Sequence, residues 1–248
     1  MSEPSSAVPT DEEVERLQQV YRGYRERGLG QTQWAESNPG NAAIARARDV
    51  KLRRLLEASG LLPLAEKRVL DVGCGGGNIL SGYQDWGARP ENLFGVDLMP
   101  ARIEDARRDH PGMNFQATNA EQLPFECDFF DLVLLYTVFT SVLDERMASN
   151  MATEVSRVLK PGGAVVWYDF RFNNPRNPNV RGLGRDAIAR LFPGFALKLS
   201  TVTLLPPLAR RLGPLTPVLY PLLASLPFLR THYAGLLCKP AVDPVRSL

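Results

Sequence analysis

The chain has 248 residues, of which 44% are hydrophobic and 23% are charged, a composition typical of one globular domain with appended segments. Its 29 Lys and Arg residues nearly balance its 27 Asp and Glu residues, so it lacks the basic stripe that non-specific nucleic-acid binding requires. The 3 scattered cysteines favour reduced thiols in a cytoplasmic protein and argue against a disulfide framework or a metal site. The N-terminus has no basic region followed by an apolar run, so no signal peptide is expected.

Residues 1–62 are predicted to form a polar N-terminal tail and a helical cap, with helices beginning near Thr10 and at residue 42. From residue 63 to 248, apolar strand-like runs alternate with helical patterns, so we expect a doubly wound, mostly parallel α/β sheet covered on both faces. The predicted strands are residues 68–72, 93–97, 113–117, 130–136, 164–170, 196–205 and 231–239. The predicted helices between them are residues 77–86, 101–108, 144–159 and 185–192.

Residues 212–229 form a Leu-rich segment with no charged residue. A membrane-spanning helix needs about 20 apolar residues in regular geometry, but prolines at positions 214, 217, 221 and 227 obstruct such a helix. We therefore expect short helices that form a lid or an acceptor pocket, with weak contact to a membrane surface as the alternative. Two lid elements are predicted, at residues 171–184 and 206–230.

A glycine loop follows the first predicted strand and is the most specific feature of the sequence. The strand ends at Asp71, and glycines at positions 73, 75 and 77 let the backbone approach a ligand closely. A dinucleotide site would need a small residue where Asn78 stands, and the Asp71 carboxylate suits a cationic ligand better than a pyrophosphate. The second strand ends at Asp97, where a carboxylate suits a pair of ribose hydroxyls.

This loop resembles the first motif of the class I S-adenosylmethionine-dependent methyltransferases, [DE]-x-G-x-G-x-G. Three further segments, in the family's order, are similar to its D-A-E-x-L-P-F segment, its FD-hydrophobic fourth strand and its L-K-P-G-G turn: residues 119–125, 128–133 and 158–163. The resemblance covers residues 68–170 and implies a Rossmann-like, seven-stranded sheet with an antiparallel last strand.

The resemblance also implies roles for individual residues around S-adenosylmethionine. Asp71 would accept from the amino-acid end of the cofactor, Asp97 would accept from both ribose hydroxyls, and Leu98 would cover the adenine. Asn119 stands where the family usually has Asp, and its amide oxygen still accepts from the adenine amine. The other residues expected at the cofactor are Gly73, Cys74, Gly75, Gly77, Asn78, Ala120, Glu121 and Leu135, with Tyr21, Trp34 and Arg46 from the N-terminal helices.

The methyl acceptor is expected at the carboxyl ends of the strands, where ligands of parallel α/β sheets bind. His232 is the first candidate for a general base because an imidazole titrates near neutrality. Asp169 is the second candidate, and Tyr136 is expected beside the reacting sulfur. The acceptor-binding candidates are Tyr136, Phe139, Arg171, Asn173, Arg176 and Tyr220.

The sequence therefore favours a methyltransferase that acts on a small or amphiphilic metabolite, most simply at oxygen. The Asn-, Arg- and Pro-rich loop at residues 171–179 and the Leu- and Pro-rich segment resemble those of bacterial methyltransferases of specialised metabolism or surface-glycan pathways. The alternatives are an N-methyltransferase, which would not need His232, and a non-catalytic partner subunit that only binds the cofactor. A nicotinamide-dependent oxidoreductase is opposed by Asp71 and Asn78. Both a monomer and a homodimer are compatible with the sequence.

Overall fold

A computed structural model describes residues 11–175 and 177–241 of the chain. Its helices are α1 (Asp11–Glu26), α2 (Pro39–Ala58), α3 (Asn78–Ser81), α4 (Pro100–Asp109), α5 (Glu145–Val158), α6 (Arg185–Leu191), α7 (Pro206–Arg211) and α8 (Thr216–Ala224). Its strands are β1 (Val69–Val72), β2 (Leu93–Asp97), β3 (Asn114–Ala117), β4 (Phe130–Tyr136), β5 (Leu159–Phe170), β6 (Ala196–Leu204) and β7 (Arg230–Cys238). The predicted tail at residues 1–10 and the acceptor candidate Arg176 lie outside the described residues.

The strands form one seven-stranded sheet in the order β3-β2-β1-β4-β5-β7-β6. Strands β1 to β5 pair in parallel, whereas β7 runs antiparallel to both of its neighbours, β5 and β6. The predicted doubly wound sheet with an antiparallel last strand is confirmed. Because β7 runs the opposite way, its first residues lie at the edge where β1, β2, β4 and β5 end, and His232 pairs there with Phe170 of β5.

Two apolar layers cover the two faces of the sheet, because successive residues of each strand point to opposite faces. Val133 and Leu135 of β4 pack with α5, whereas Leu132 and Leu134 pack with α2 and α4. Helix α5 begins at the N-cap Asp144, whose carboxylate accepts from the Met147 amide at 2.7 Å. A third, smaller apolar cluster joins α2 to α7 and α8. The Leu- and Pro-rich segment is thereby fixed to the N-terminal part of the chain.

Helix α2 makes its closest contact with α7 at Gly40, where a Cβ atom would lie 2.1 Å from the Ala209 carbonyl oxygen. The Asn38 side chain caps the start of α2 by accepting from the Gly40 amide at 2.9 Å. Arg210 of α7 donates to Asn41 of α2 at 2.9 Å. The predicted division between a cap at residues 1–62 and a main domain at 63–248 stays a prediction. Helix α2, which belongs to the predicted cap, packs against β6, β7, α7 and α8 of the predicted main domain.

Two predicted elements differ in the structure. The helix expected at residues 77–86 is a single α-helical turn, α3, followed by a 3₁₀ helix at Gly82–Trp86. Strand β5 is longer than predicted because Leu159 already pairs with Phe130, ahead of a register shift in the β4–β5 ladder. Over the described residues, no helix is both long enough and apolar enough to cross a membrane.

Candidate active site

The glycine loop borders a cavity of about 1440 Å³ at the carboxyl ends of the strands. The amides of Gly73 and Cys74 donate to the Val96 carbonyl at 2.8 and 3.0 Å, which fixes the loop to β2. Gly75 and Gly77 have φ angles of +56° and +82°, which L side chains rarely adopt. Gly73, Cys74 and Asn78 line the cavity. The backbone of the loop therefore forms one wall of the site.

Asp97 is held in place before any ligand binds, since its carboxylate accepts from the Gly75 amide and from the Met99 amide, both at 2.9 Å. It lines the cavity and is buried. Each of its oxygens accepts one of these bonds, and a carboxylate oxygen can accept more than one hydrogen bond. This arrangement fits the two neighbouring hydroxyls of a ribose.

Asp71 is buried at the end of β1, and no described residue donates a hydrogen bond to its carboxylate or forms an ion pair with it. Burial and the nearby Asp97 raise the pKa of Asp71 well above its ordinary value, against the opposing influence of Arg102 and Arg48. A buried carboxylate without a partner is costly, and a ligand cation would remove that cost. Asp71 itself does not line the cavity, whereas its neighbours Val72 and Gly73 do, so its charge would act on the ammonium group at the amino-acid end of S-adenosylmethionine from behind this wall.

The adenine end of the predicted site is lined by Leu98, Asn119 and Ala120. Asn119 is fixed by Glu121, because its Nδ2 donates to Glu121 Oε2 at 3.1 Å and its Oδ1 accepts from the Glu121 amide at 3.0 Å. Glu121 also accepts from Asn150 of α5 at 2.8 Å and does not line the cavity. The predicted cofactor residue Glu121 is thus placed behind Asn119, where it orients the amide.

The N-terminal part of the chain reaches the same cavity through Tyr21 of α1, Trp34 of the α1–α2 connection and Arg46 of α2. Tyr21 Oη lies 3.0 Å from Ser141 Oγ on the loop after β4. Glu13 of α1 accepts from the Leu143 amide at 2.6 Å, and this bond, with the Arg16 ion pair, holds the pKa of Glu13 below its ordinary value despite burial. Helix α1 is thereby anchored over the cofactor side of the cavity.

His232 lines the cavity and stacks on the Tyr168 ring at a centroid distance of 4.7 Å. Burial and the Arg48 charge lower the pKa of His232 to about 3. The Thr231 hydroxyl lies 2.9 Å from His232 Nδ1 and also donates to the Thr203 carbonyl at 3.3 Å. Since the hydroxyl has one proton, both bonds form only if Nδ1–H donates to Thr231, which leaves Nε2 as a lone-pair acceptor.

Arg48 lies between the two ends of the cavity and was not among the residues predicted from the sequence. Its guanidinium carbon is 5.1 Å from the ring centre of Tyr136 and 5.5 Å from that of Tyr168, and its Nε donates to Asp49 at 2.7 Å. Burial alone would lower the pKa of Arg48, but the Asp49 bond and the tyrosines raise it. The Arg48 charge lowers the pKa of Asp71 and that of His232, and it therefore opposes protonation of both groups.

A sequence signal for Arg48 existed. It follows Ile44 and precedes Leu52 and Leu56 at intervals of four residues, and both leucines are fully buried. An arginine within the apolar stripe of a helix is held by a buried partner or faces a polar cavity. Arg102, also missed, lines the cavity 3.7 Å from the Asp97 carboxylate.

Asp169, the second base candidate, is not brought into the cavity. It is buried, and its two oxygens accept from the amide and hydroxyl of Thr140 and from the Phe170 amide. Burial raises the pKa of Asp169 to about 7, against the opposing effect of these donors. The carboxyl group therefore fixes the loop after β4 to the end of β5.

Several predicted site residues lie elsewhere. Phe139 and Leu135 belong to the apolar core, where Phe139 packs against Trp167 at 5.5 Å between ring centres. The Tyr220 side chain packs between α8 and α2 and lines a separate cavity. Arg171 stacks on Phe172 and Tyr233 outside the lining of the main cavity. Of the remaining candidates, Asn173 and Tyr136 line the main cavity, and Tyr136 Oη lies 2.9 Å from Tyr83 Oη.

Comparison with known proteins identifies the central part of the chain. Residues 70–167 match the family model of a methyltransferase domain. This part of the chain is similar to methyltransferase domains. The expected resemblance to S-adenosylmethionine-dependent methyltransferases is thereby confirmed over this stretch, which holds Asp71, the glycine loop and Asp97.

Relatives of the methyltransferase domain are similar over part of their length. The chain is 41% identical over 113 residues, 45% of this chain and 40% of the relative, to phthiotriol/phenolphthiotriol dimycocerosates methyltransferase 1 of Mycobacterium ulcerans (strain Agy99). It is 42% identical over 107 residues, 42% of this chain and 38% of the relative, to the fatty-acid O-methyltransferase of Mycolicibacterium smegmatis (strain ATCC 700084 / mc(2)155). The alignments thus span about two fifths of the length of these relatives.

Several solved structures share the fold of this chain. The 1,6-didemethyltoxoflavin-N1-methyltransferase of Burkholderia thailandensis has a TM-score of 0.62 at 16% identity, with 96% of this chain and 93% of that chain covered. An S-adenosylmethionine-dependent methyltransferase of Mesorhizobium loti has a TM-score of 0.58 at 17% identity, with 79% and 100% covered. A [4+2]-cyclase, SpnF, shares the fold with a TM-score of 0.55 at 18% identity, with 78% and 81% covered. At these identities the likeness concerns the fold alone.

The low pKa of His232 has a consequence for the free energy of unfolding. Between its ordinary pKa of 6.5 and about 3, the unfolded chain binds a proton that the folded chain does not. The stability that His232 contributes is complete above pH 6.5 and is lost as the pH falls, by about 1.4 kcal/mol per pH unit. Denaturant titrations of the wild type and of His232→Gln should show this slope in the difference between them from pH 6.5 to 4.

Asp169 has the opposite effect on the pH dependence of the free energy of unfolding, but it is present in both the wild type and His232→Gln. Its pKa is raised to about 7, so the folded chain binds the extra proton and the contribution of Asp169 is lost as the pH rises from 3.8 to 7. This contribution cancels in the difference between wild type and variant. A flat difference between wild type and His232→Gln would show that His232 is accessible to protons in the folded protein.

Proposed function

We propose that the protein is an S-adenosylmethionine-dependent methyltransferase that methylates an oxygen atom of a lipid-like, amphiphilic acceptor. The observation that carries the proposal is one continuous cavity that extends from the glycine loop and Asp97 to His232 and the apolar side chains of Leu205 and Phe228. Its volume of about 1440 Å³ exceeds the roughly 300–1,000 Å³ typical of a site for one small molecule. The cavity therefore has room for a cofactor and a bulky acceptor together.

The chain's own residues suit S-adenosylmethionine, which when bound supplies a methyl group on a positively charged sulfur. Asp71, behind the wall of the cavity, would attract the ammonium group, and Asp97 would bind the ribose hydroxyls, while Leu98 and Asn119 would contact the adenine. Arg48 and Arg46 offer cations to the carboxylate at the amino-acid end. The wall formed by α1 and the glycine loop limits access of water from this side. Positioning of the two reactants in one cavity would supply several kcal/mol of the rate enhancement.

His232 is the residue best placed to take a proton from an acceptor hydroxyl. Its low pKa keeps the imidazole neutral at physiological pH, and the bond from Nδ1–H to Thr231 leaves the lone pair on Nε2. A base of low pKa contributes at the lower end of the usual range, about a hundredfold. A carboxylate acceptor is already ionised and would need no base, but it would benefit from the Arg48 cation.

The lipid-like acceptor is supported by the lining of the cavity and by one relative. Leu205, Pro206, Phe228 and Leu229 line the outer part of the cavity, beyond the polar groups at His232 and Arg48. This order places a polar reacting group inside and an apolar chain towards the opening. The fatty-acid O-methyltransferase to which the chain is 42% identical over 107 residues is named for a lipid acceptor and an oxygen target.

The proposal is tested with purified protein, labelled S-adenosylmethionine and two acceptors of equal chain length, a long-chain fatty acid and a long-chain alcohol. We expect methyl transfer to at least one of them. If the alcohol is the better acceptor, His232→Gln should lower kcat about a hundredfold. If the fatty acid is the better acceptor, His232→Gln should leave kcat within about twofold, whereas Arg48→Met should raise KM about tenfold through loss of a charge-assisted hydrogen bond.

His110→Gln is the matched control for loss of an imidazole, since His110 does not line the cavity. Transfer only to amines of the same chain length would contradict the oxygen target and favour N-methylation. Binding of S-adenosylhomocysteine without transfer to any of these acceptors would contradict the lipid acceptor and favour a non-catalytic, cofactor-binding subunit.

A further inference from the structure

Helix α8 and its flanking turns expose an unusual number of apolar side chains. The apolar face consists of Leu215, Val218, Leu222, Leu226 and Phe228, whose exposed fractions run from 39% at Leu226 to 73% at Phe228. On the opposite side of α8, Thr216 and Tyr220 are buried against the protein. Contiguous apolar surface of this kind marks an interaction site in soluble proteins.

The segment that carries this face has charges of one sign only. No acidic residue occurs between residues 187 and 241. Basic residues flank the apolar face on both sides, with Arg210 and Arg211 before it and Arg230 after it. A partner with apolar and anionic character would be attracted to this surface, whereas a cationic partner would be repelled.

A second cavity of about 420 Å³ adjoins α8 between α2, β6 and β7. Its lining contains Lys51, Arg54 and Arg230 and no acidic side chain, and Ser200 and Thr201 add hydroxyl groups. Lys51 is half-buried and Arg54 is exposed, and neither forms an ion pair with a described residue. We call this site the basic cavity. Arg230 already donates to the Ala224 and Ser225 carbonyls, so the donors left for a ligand are those of Lys51 and Arg54, which match a phosphate group.

The apolar face also continues into the main cavity. Phe228 belongs to both, and Leu205, Pro206 and Arg210 from the same part of the chain line the opening of the main cavity. Val50 and Thr203 line both the main cavity and the basic cavity, which are therefore neighbours. The apolar face, the basic cavity and the opening for the acceptor thus meet around α8.

We propose that the apolar face of α8 docks onto a lipid bilayer that contains anionic phospholipids, and that the basic cavity binds a lipid phosphate. The apolar side chains enter the boundary between headgroups and acyl chains, and the basic side chains contact the anionic surface. Docking places the opening of the main cavity at the bilayer. Only the further step, entry of a lipid acceptor from the bilayer, rests on the function proposed above.

Co-sedimentation of the full chain with vesicles tests the docking without any assay of methyl transfer. We expect stronger binding to vesicles of phosphatidylcholine mixed with phosphatidylglycerol than to phosphatidylcholine alone, and weaker binding at high salt. Val218→Ser/Leu222→Ser/Phe228→Ser, at exposed positions, should weaken binding at least about tenfold. Lys51→Gln/Arg54→Gln should weaken binding to the mixed vesicles by about fivefold for each charge removed.

The charge-matched control is Arg146→Gln/Arg190→Gln, which removes two exposed cations from α5 and α6 on the other face of the sheet and should leave binding unchanged. Equal loss of binding in this control and in Lys51→Gln/Arg54→Gln would overturn the basic cavity as a phosphate site. Failure of the wild type to bind the mixed vesicles would overturn the docking. Sedimentation equilibrium adds a further test, since a dimer that the triple serine variant converts to monomers would overturn the docking by showing that the apolar face joins two copies.

Discussion

Replacement of Asp97 by alanine is expected to weaken binding of S-adenosylhomocysteine by at least about a hundredfold, since each hydrogen bond to a charged group contributes about 1.5–3 kcal/mol. The carboxylate is already oriented by the amides of Gly75 and Met99, so a ribose would meet it without further ordering. Calorimetric titration of wild type and variant measures the effect directly.

Two matched variants separate the carboxylate's role in binding from its role in the loop. Asp97→Asn keeps the shape and one acceptor oxygen, so its affinity should fall between those of wild type and Asp97→Ala. Glu104→Ala removes an exposed carboxylate from α4, close by in the sequence, and should bind as the wild type does. Unchanged affinity in Asp97→Ala would show that the cofactor does not lie along the end of β2.

The second large effect is expected at the contact between α2 and α7. Gly40→Ala gains up to about 1 kcal/mol in helix propensity, but the new Cβ would lie 2.1 Å from the Ala209 carbonyl oxygen, which is backbone and cannot rotate away. Overpacking of this kind costs about 1–3 kcal/mol, so α7 must move. We expect a lower melting temperature and, for the acceptor, a KM raised about tenfold by displaced α7 residues at the cavity opening.

The affinity for S-adenosylhomocysteine should change less than the acceptor KM in Gly40→Ala, because Asp97 and the glycine loop lie at the ends of β2 and β1 and only Arg46 and Arg48 of the expected cofactor residues lie on α2. Gly30→Ala is the control, since no atom lies within 4 Å of the position that a Cβ would take there. An unchanged acceptor KM in Gly40→Ala, alongside a lowered melting temperature, would show that α7 does not shape the acceptor site.

The cofactor side of the site could be predicted from the sequence because it is encoded locally. Asp71, the glycine loop and Asp97 occupy fixed positions within a β-turn-α pattern, so their spacing alone brings them together at neighbouring strand ends. The antiparallel last strand was expected from the resemblance to the family, and it correctly placed His232 at this edge. The sequence pattern did not predict how deeply Asp71 is buried.

The acceptor side could be predicted only in part because it is assembled from segments far apart in the chain. Phe139 was expected in the acceptor site, but Phe192, which follows α6, packs against it and completes a core cluster. Asp169 lies near the carboxyl end of β5, where a base would be expected, but the Thr140 hydroxyl and amide donate to its oxygens. In both cases, contacts between distant residues decided whether a side chain faced the core or the cavity.

Helix α2 connects the wall of the acceptor opening with the arginines that would bind the cofactor. One end of it packs against α7 through Gly40, and Arg46 and Arg48, only about 9–12 Å further along the helix axis, reach the main cavity. If a ligand draws the arginines inward and α2 moves as one rigid body, the wall of the acceptor opening shifts with it. The affinities for the two ligands are then thermodynamically linked, and each ligand changes the binding of the other by the same factor.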